Sequence, residues 1–346
     1  MKLVSALAVV GLVSASPVTQ WAQFKKDHNK VYKSLAEESK RFNQFKKNLD
    51  FIANHNAKHA RGEESYHVAI NKFADLSAAE FEQIHLADME SVGIRKNYQC
   101  PVKFQPSSSS YPTSVDWRST ANPQNRVAVT AVKDQGSCGS CWSFATTGTF
   151  EGQECLAGNQ DCSTWAGASE QNLVDCSVKS DTDLGPYYDM GCNGGWIDNG
   201  LYYIQVNGGI DSEESYPYTS GNGRTGTCNY NSANSVGREK DCGYSTKGSE
   251  NELTQAIADV GPVGVAINAS GAGFQLYSGG VYVNTRCGTS VNHAVLAVGY
   301  GVDNGQDYFL VKNSWGTGWG ANGYIEMARN QGNMCSIASY PAYAQV

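Results

Sequence analysis

The residues Gln135-Gly-Ser-Cys138-Gly-Ser-Cys141-Trp place two cysteines three positions apart. Three chemistries fit that spacing. A C-x-x-C pair can cycle between dithiol and disulfide, but that role calls for a βαβ context and a reducing compartment, and neither is evident. It can supply half of a zinc site, which needs a second ligand pair at metal spacing. Cys176 and Cys192 are singletons, so no metal is expected. The third reading separates the two residues, with Cys138 bridged and Cys141 free. A helix beginning near Cys141 would put its sulfur at the positive end of the helix dipole, which favours the nucleophilic thiolate.

A thiolate nucleophile wants a histidine to hold a proton and pass it to the leaving group. Beyond residue 110 the chain has one histidine, His293, in "SVNHAVLAVGYG". Asn313 follows twenty residues later in "KNSWGTGWG", and its amide oxygen could fix the imidazole tautomer.

The count of 11 cysteines supports the separation of roles. The first fifteen residues, "MKLVSALAVVGLVSA", have a lysine, a short apolar core and small residues at the end, as a secretory signal peptide does. In an oxidising compartment an odd count means bridges plus at least one free thiol. No run of 18 apolar residues is present, so no membrane span is expected.

The elements that must position these groups fall into two halves. Residues 16–110 hold one cysteine, five of the six histidines, and 14 Lys and Arg against 11 Asp and Glu. Residues 111–346 hold ten cysteines and 11 basic against 22 acidic residues. "PSSSSYPTS", residues 106–114, reads as an exposed linker open to proteolysis. Phe42, Phe45, Leu49, Ile52 and Ala53 recur at helical spacing and predict a helix over 35–60. Its lysines are mixed with acids in an acidic chain, which argues against nucleic acid. In the second half a helix is expected over 143–156. "PVGVAI", "HAVLAVGYG", "DYFLVKNSWG" and "GYIEMAR" read as strands, giving an α+β class with a cleft between two subdomains.

"QGSCGSCWSFA", "SVDWR", "SEQNLVDCS", "GCNGG", "NHAVLAVGYG" and "KNSWGTGWGANGY" together resemble the papain-family cysteine proteases over residues 111–346. The first half resembles that family's inhibitory propeptide. Glu37, Arg41, Phe45, Asn48, Ile52 and Asn56 reproduce the ERFNIN pattern of the cathepsin L-like branch. "AINKFAD" matches a second propeptide segment, with Ala69 where glycine is usual.

The resemblance implies a helical left domain and a β-barrel-like right domain behind a helical propeptide: 1–15 leader, 16–110 propeptide, 111–346 peptidase. It implies Cys141 as nucleophile, His293 as acid and base, Asn313 orienting it, Gln135 in the oxyanion hole and Trp315 as a shield. Gly194 and Gly195 would pair with substrate backbone. Trp196, Ile197, Ala266, Val291 and Ala294 would line S2 for an apolar P2 side chain, with Tyr340 a candidate to close it. Asn292 stands where an aspartate is common, which leaves the usual pH profile open.

Disulfides Cys138–Cys192, Cys176–Cys228 and Cys287–Cys335 are likewise implied. Cys100, Cys155, Cys162 and Cys242 could pair in three ways. Cys155 and Cys162 are near enough for a local bridge, and Cys100–Cys242 would then tie the two halves. The implied partners are protein or peptide substrates, the chain's own propeptide and cystatin-like inhibitors, with a monomer, no cofactor, and a lysosomal, vacuolar or extracellular destination. A catalytically silent binding or storage protein is the competing class. A thiol–disulfide oxidoreductase is the other, and a peptide ligase would share the protease chemistry.

Overall fold

The computed structural model describes residues 16–87, 89, 100–107, 110–178 and 189–346; the leader and two linker serines, Ser108 and Ser109, lie outside the described residues. The chain opens with helix α1 (Pro17–Asp27), packed on the long helix α2 (Leu35–Ala60). Ser34 caps α2 by accepting the Glu37 N–H at 3.1 Å, and the Glu37 carboxylate reaches back to the Lys33 N–H at 2.8 Å. Trp21, Phe24 and Phe45 form the small aromatic core between the helices. The polar members of the α2 pattern grip the chain that follows. Asn48 donates to the Ala74 and Leu76 carbonyls (2.7 and 2.9 Å), and Asn56 exchanges hydrogen bonds with Val68 (2.8 and 3.0 Å). Helix α3 (Ala78–His85) starts with a capping box formed by Ser77 and Glu80.

Strand β1 (Tyr66–Val68) leaves this segment and joins the main sheet. The other strands are β2 (Val102–Lys103), β3 (Val115–Asp116), β4 (Ile210–Asp211), β5 (Ser235–Gly237), β6 (Asp241–Tyr244), β7 (Val263–Ile267), β8 (Tyr277–Tyr282), β9 (His293–Asp303), β10 (Gln306–Lys312), β11 (Tyr324–Ala328) and β12 (Tyr343–Gln345). Seven form one sheet in the order β1-β8-β11-β10-β9-β3, with β7 also on β9. Among the described residues it is an open, mostly antiparallel sheet; only β8 and β11 run parallel. Gly280, at φ +81°, lets β1 close in, since a Cβ there would lie 2.6 Å from the Ser65 carbonyl. A second sheet of order β12-β6-β2 takes its edge strand from residues 102–103.

The remaining helices are α4 (Cys141–Ala157), α5 (Glu170–Cys176), α6 (Ile197–Asn207), α7 (Glu250–Asp259) and the short α8 (Ala272–Gln275). Helix α4 is nearly all buried, packing on α5, α6, β7, β9 and β12, and so carries no polar stripe. The structure bonds Cys138 to Cys192, Cys176 to Cys228, Cys287 to Cys335, Cys155 to Cys162, and Cys100 to Cys242. Cys141 is the free cysteine among the described residues. Asn268, which opens the glycosylation sequon Asn268-Ala-Ser270, is nearly buried, with its amide donating to the Ser290 carbonyl at 2.7 Å.

A buried charge cluster ties the helices to the sheet. Lys133 bridges Glu170 at 2.8 Å and Glu151 at 3.3 Å. Glu151 also accepts from Thr130 Oγ1 at 2.6 Å and the Ala168 N–H at 2.9 Å. Lys312, at the end of β10, donates to the same Thr130 hydroxyl at 3.1 Å. Breaking a buried ion pair by removing one partner costs about 3–5 kcal/mol, because the remaining charge is stranded. Glu151→Ala should therefore lower the urea-unfolding free energy of the zymogen by about that amount; a loss under about 1 kcal/mol, within the range of exposed ion pairs, would show that the cluster is not a structural tie.

Candidate active site

Cys141 is the first residue of α4, and the helix approaches it without a side-chain cap. Ser140, the N-cap residue, spends its hydroxyl on Tyr218 Oη at 2.7 Å. The helix N–H groups therefore stay directed at the sulfur. Across the cleft, His293 opens β9, and the neighbouring Ala294 N–H donates to Cys141 Sγ at 3.3 Å. Helix start and strand start thus meet within one hydrogen bond.

His293 Nε2 lies 2.8 Å from Asn313 Oδ1. That oxygen also accepts the Ser314 backbone N–H at 2.8 Å, which identifies it as the acceptor and places the imidazole proton on Nε2. Nδ1 is then the basic nitrogen, and it is buried with no protein partner among the described residues. Trp315 stacks on the imidazole with centroids 4.5 Å apart and planes 22° apart. This walls the His293–Asn313 bond off from water.

Gln135 is fully buried. Its Oε1 accepts from Ser314 Oγ at 2.6 Å, so Nε2 must face the other way. Nε2 donates to the Cys138 carbonyl at 2.9 Å and, at 3.3 Å, to the carbonyl of His85. His85 belongs to the N-terminal segment. The chain beyond it crosses the cleft, with the Ala87 N–H donating to the Asn292 carbonyl at 2.8 Å, and the His85 ring bonds the Gly136 carbonyl at 3.0 Å. Phe73 and Phe81 stand edge-on to Trp315, at 5.5 and 5.1 Å. Cys141, His293 and Gln135 are all fully buried beneath this cover.

Burial sets the electrostatics. It pushes the Cys141 thiol up to about 11 against the pull of the helix-start and Ala294 N–H groups. It also pushes His293 down to about 4, against the raising effect of Asn313. Both shifts favour neutral thiol and neutral imidazole over the ion pair.

The structure gathers Trp196, Ile197, Ala266, Val291 and Ala294 into one buried apolar cluster with Cys141 and Trp142. Tyr340 packs on it, its ring 5.0 Å from that of Trp196. Lys247 holds the tyrosine, with Nζ 4.4 Å from the ring centroid and 3.2 Å from the hydroxyl. Gly194 and Gly195 lead into this wall; a Cβ on Gly195 would fall 2.5 Å from the Trp142 ring. Asn292 turns its amide to the loop after β7, accepting the Ala269 N–H at 2.9 Å and donating to Ser270 Oγ at 2.8 Å.

Three contributors were not legible beforehand. Ser314 orients Gln135, Tyr218 holds both Ser140 and the Gln135 carbonyl at 2.8 Å, and Asp189 receives the Trp196 N–H at 2.9 Å. Ser314 adjoins Asn313 and was the one within reach of a motif reading. Among the described residues no group of three or more His, Cys, Asp and Glu side chains is placed to hold a metal ion.

Residues 111–345 match the family model for papain family cysteine proteases, and residues 21–81 match that for the cathepsin propeptide inhibitor domain (I29). Digestive cysteine proteinase 1 of Homarus americanus is 44% identical over 352 residues, covering 100% of both chains. Cathepsin L of Sarcophaga peregrina is 43% identical over 361 residues, covering 99% of each. The fold is similar to that of digestive procathepsin L 3 from Tenebrio molitor larval midgut, with a TM-score of 0.82 at 41% identity over 96% of this chain and 100% of that one. The catalytically silent alternative gains no support from these relatives. With a peptidase body and an inhibitor segment both matched along most of its length, the chain belongs to the papain family of cysteine proteases, as a cathepsin L-like member made with its own inhibitory propeptide.

Proposed function

We propose that this chain is the zymogen of a cysteine endopeptidase in which Cys141, His293, Asn313 and Gln135 carry the reaction and residues 16–110 form the inhibitory part. The observation that carries this reading is the hydrogen-bonded set Cys141–Ala294 and His293–Asn313, with Gln135 aimed into the same space. Once the cover leaves and water returns, the proton of the Cys141 thiol passes to His293 Nδ1. The thiolate adds to the peptide carbonyl carbon, and the oxyanion is held by Gln135 Nε2–H and the Cys141 backbone N–H. The C–N bond breaks as the amine takes the proton from His293. Water, deprotonated by His293, then attacks the thioester, releasing the acid and restoring the thiol. The apolar wall from Trp196 to Ala294 supports a preference for an apolar P2 side chain. The leader and the digestive and cathepsin relatives support a secreted or lysosomal protease.

Gln135→Ala should lower kcat about 10²–10³-fold on a fluorogenic peptide with Leu at P2, with KM little changed, as for loss of one oxyanion donor. Cys141→Ala should abolish turnover. Turnover surviving in the latter would remove the nucleophile assignment, and an unchanged kcat in the former would remove Gln135 from the oxyanion hole.

Acid release is the proposed trigger, with self-cleavage near Ser107 to Tyr111. The net charges of the two halves attract, yet one ion pair joins them at close range among the described residues, Lys72–Asp134 at 2.5 Å. A second contribution comes from His85, pressed between Phe73 and Phe81 with ring centroids 4.6 and 5.6 Å away. Burial lowers His85 from 6.5 to about 4; Lys72 and Lys30 add to the lowering, and Asp134 and the Gly136 carbonyl oppose it. A depressed pKa in the docked state means docking is unaffected above 6.5 and weakens as pH falls from there to about 4, by at most about tenfold per pH unit. Zymogen conversion should accelerate through that window, and His85→Gln should flatten part of the dependence. Identical pH–rate profiles for the two proteins would exclude His85 as a contributor.

A further inference from the structure

The disulfide Cys100–Cys242 spans the boundary between the inhibitory part and the peptidase, its cysteines 142 positions apart. Residues 82–110 fall outside both family matches, so neither match assigns them to inhibitor or enzyme. The contacts divide them. The hydrogen bonds described above from the amino-terminal half to Gln135, Gly136 and Asn292 come from His85 and Ala87. Residues 100–104 are instead bonded to β6 and its flanks. Cys100 is 1% exposed and Cys242 0%. Val102 and Lys103 form the parallel edge strand on β6, paired with Gly243 and Tyr244. The Phe104 N–H donates to the Tyr244 carbonyl at 2.8 Å, and its side chain is buried in the main core. Cys100 and Cys242 both sit in the apolar cluster that includes Trp196, Ile197 and Ala266.

We propose that, within the 16–110 segment, residues 100–104 are a permanent part of the active peptidase, so that the cut near Ser107 to Tyr111 activates only together with a break on the amino-terminal side of Cys100. This rests on the protease reading above. A cut near Ser107 to Tyr111 alone leaves residues 16–107 attached through the disulfide. A tethered inhibitor is present at a high effective concentration and rebinds its site, so such a nicked form stays inhibited. A break upstream of Cys100 frees the inhibitory contacts. The strand then remains, by chain continuity or by the disulfide alone when the linker is also cut. Its loss would uncover the β6 edge, open the core at Phe104 and leave Cys242 as a second unpaired thiol.

The test uses the wild-type zymogen, converted at acid pH without added thiol. Active enzyme is trapped by iodoacetamide at Cys141, and its intact mass is read under denaturing conditions before and after reduction. The expected result is that every Cys141-alkylated species contains residues 100–104, either in one chain or as a peptide that leaves only on reduction. Active enzyme starting at or beyond Ser107 with no attached peptide, or with Cys242 alkylated, overturns the proposal. A zymogen that converts but hydrolyses no peptide would instead overturn the protease reading. Retention is then read on the Cys141→Ala chain nicked by an added broad-specificity serine protease, with the same two masses deciding.

Discussion

One contact organises this molecule: the Ala294 N–H on Cys141 Sγ, which closes the gap between the start of a buried helix and the start of a sheet strand. Neither residue can be placed by its own element. Helix α4 must be wrapped on every side to deliver Cys141, and β9 must be central in its sheet to deliver His293. The charge cluster of Lys133, Glu151, Glu170 and Lys312 joins α4, which bears Cys141, to β10, the strand paired with β9. Asn313 directly follows Lys312, so the tie also holds in place the residue whose amide oxygen bonds the imidazole.

The same closeness makes the site sensitive to water. Thiolate and imidazolium are both charged, and burial disfavours each. The N-terminal segment exploits this by sealing the cleft with backbone rather than with charge. It lays the His85 carbonyl on the Gln135 amide and Ala87 on Asn292, and it covers Trp315 with Phe73 and Phe81. The segment keeps its own shape through α2, whose asparagines hold the turns that present these groups. Strand β1 adds register, pairing Tyr66 with Gly280 at the edge of the sheet.

Much of this was legible in the sequence. Helix 35–60 followed from apolar spacing, and the strands around His293 and Asn313 followed from their β-branched and aromatic runs. Helix α4 was legible, beginning two residues before Ser143, because its glycines and threonines dilute the apolar signal without breaking the helix. The lone histidine and the odd cysteine count directed attention to Cys141 and His293 before any geometry was known. What stayed hidden depends on contacts distant in sequence. The edge strand Val102–Lys103 is two residues long and has no periodicity of its own. Ser314 and Tyr218 act through hydroxyl bonds to residues far from them in sequence. Five histidines in the first half were countable, but only packing distinguishes His85, wedged at the cleft, from the other four.

The central claim is that the cover silences the enzyme by desolvating the Cys141–His293 pair, not only by filling the cleft. The most direct measurement is the thiolate absorbance near 240 nm, titrated from about pH 6.5 to 9 in the zymogen, above the proposed release window, and from about pH 4 to 9 in the converted enzyme, each against a Cys141→Ala chain in the same form, cut where needed by an added protease. The account predicts no Cys141 thiolate signal in the zymogen across that range, since its thiol is pushed up to about 11, and a clear signal at mildly acid and neutral pH after conversion. A zymogen that carries the same thiolate signal as the converted enzyme would contradict it, and would reduce the propeptide to a steric plug.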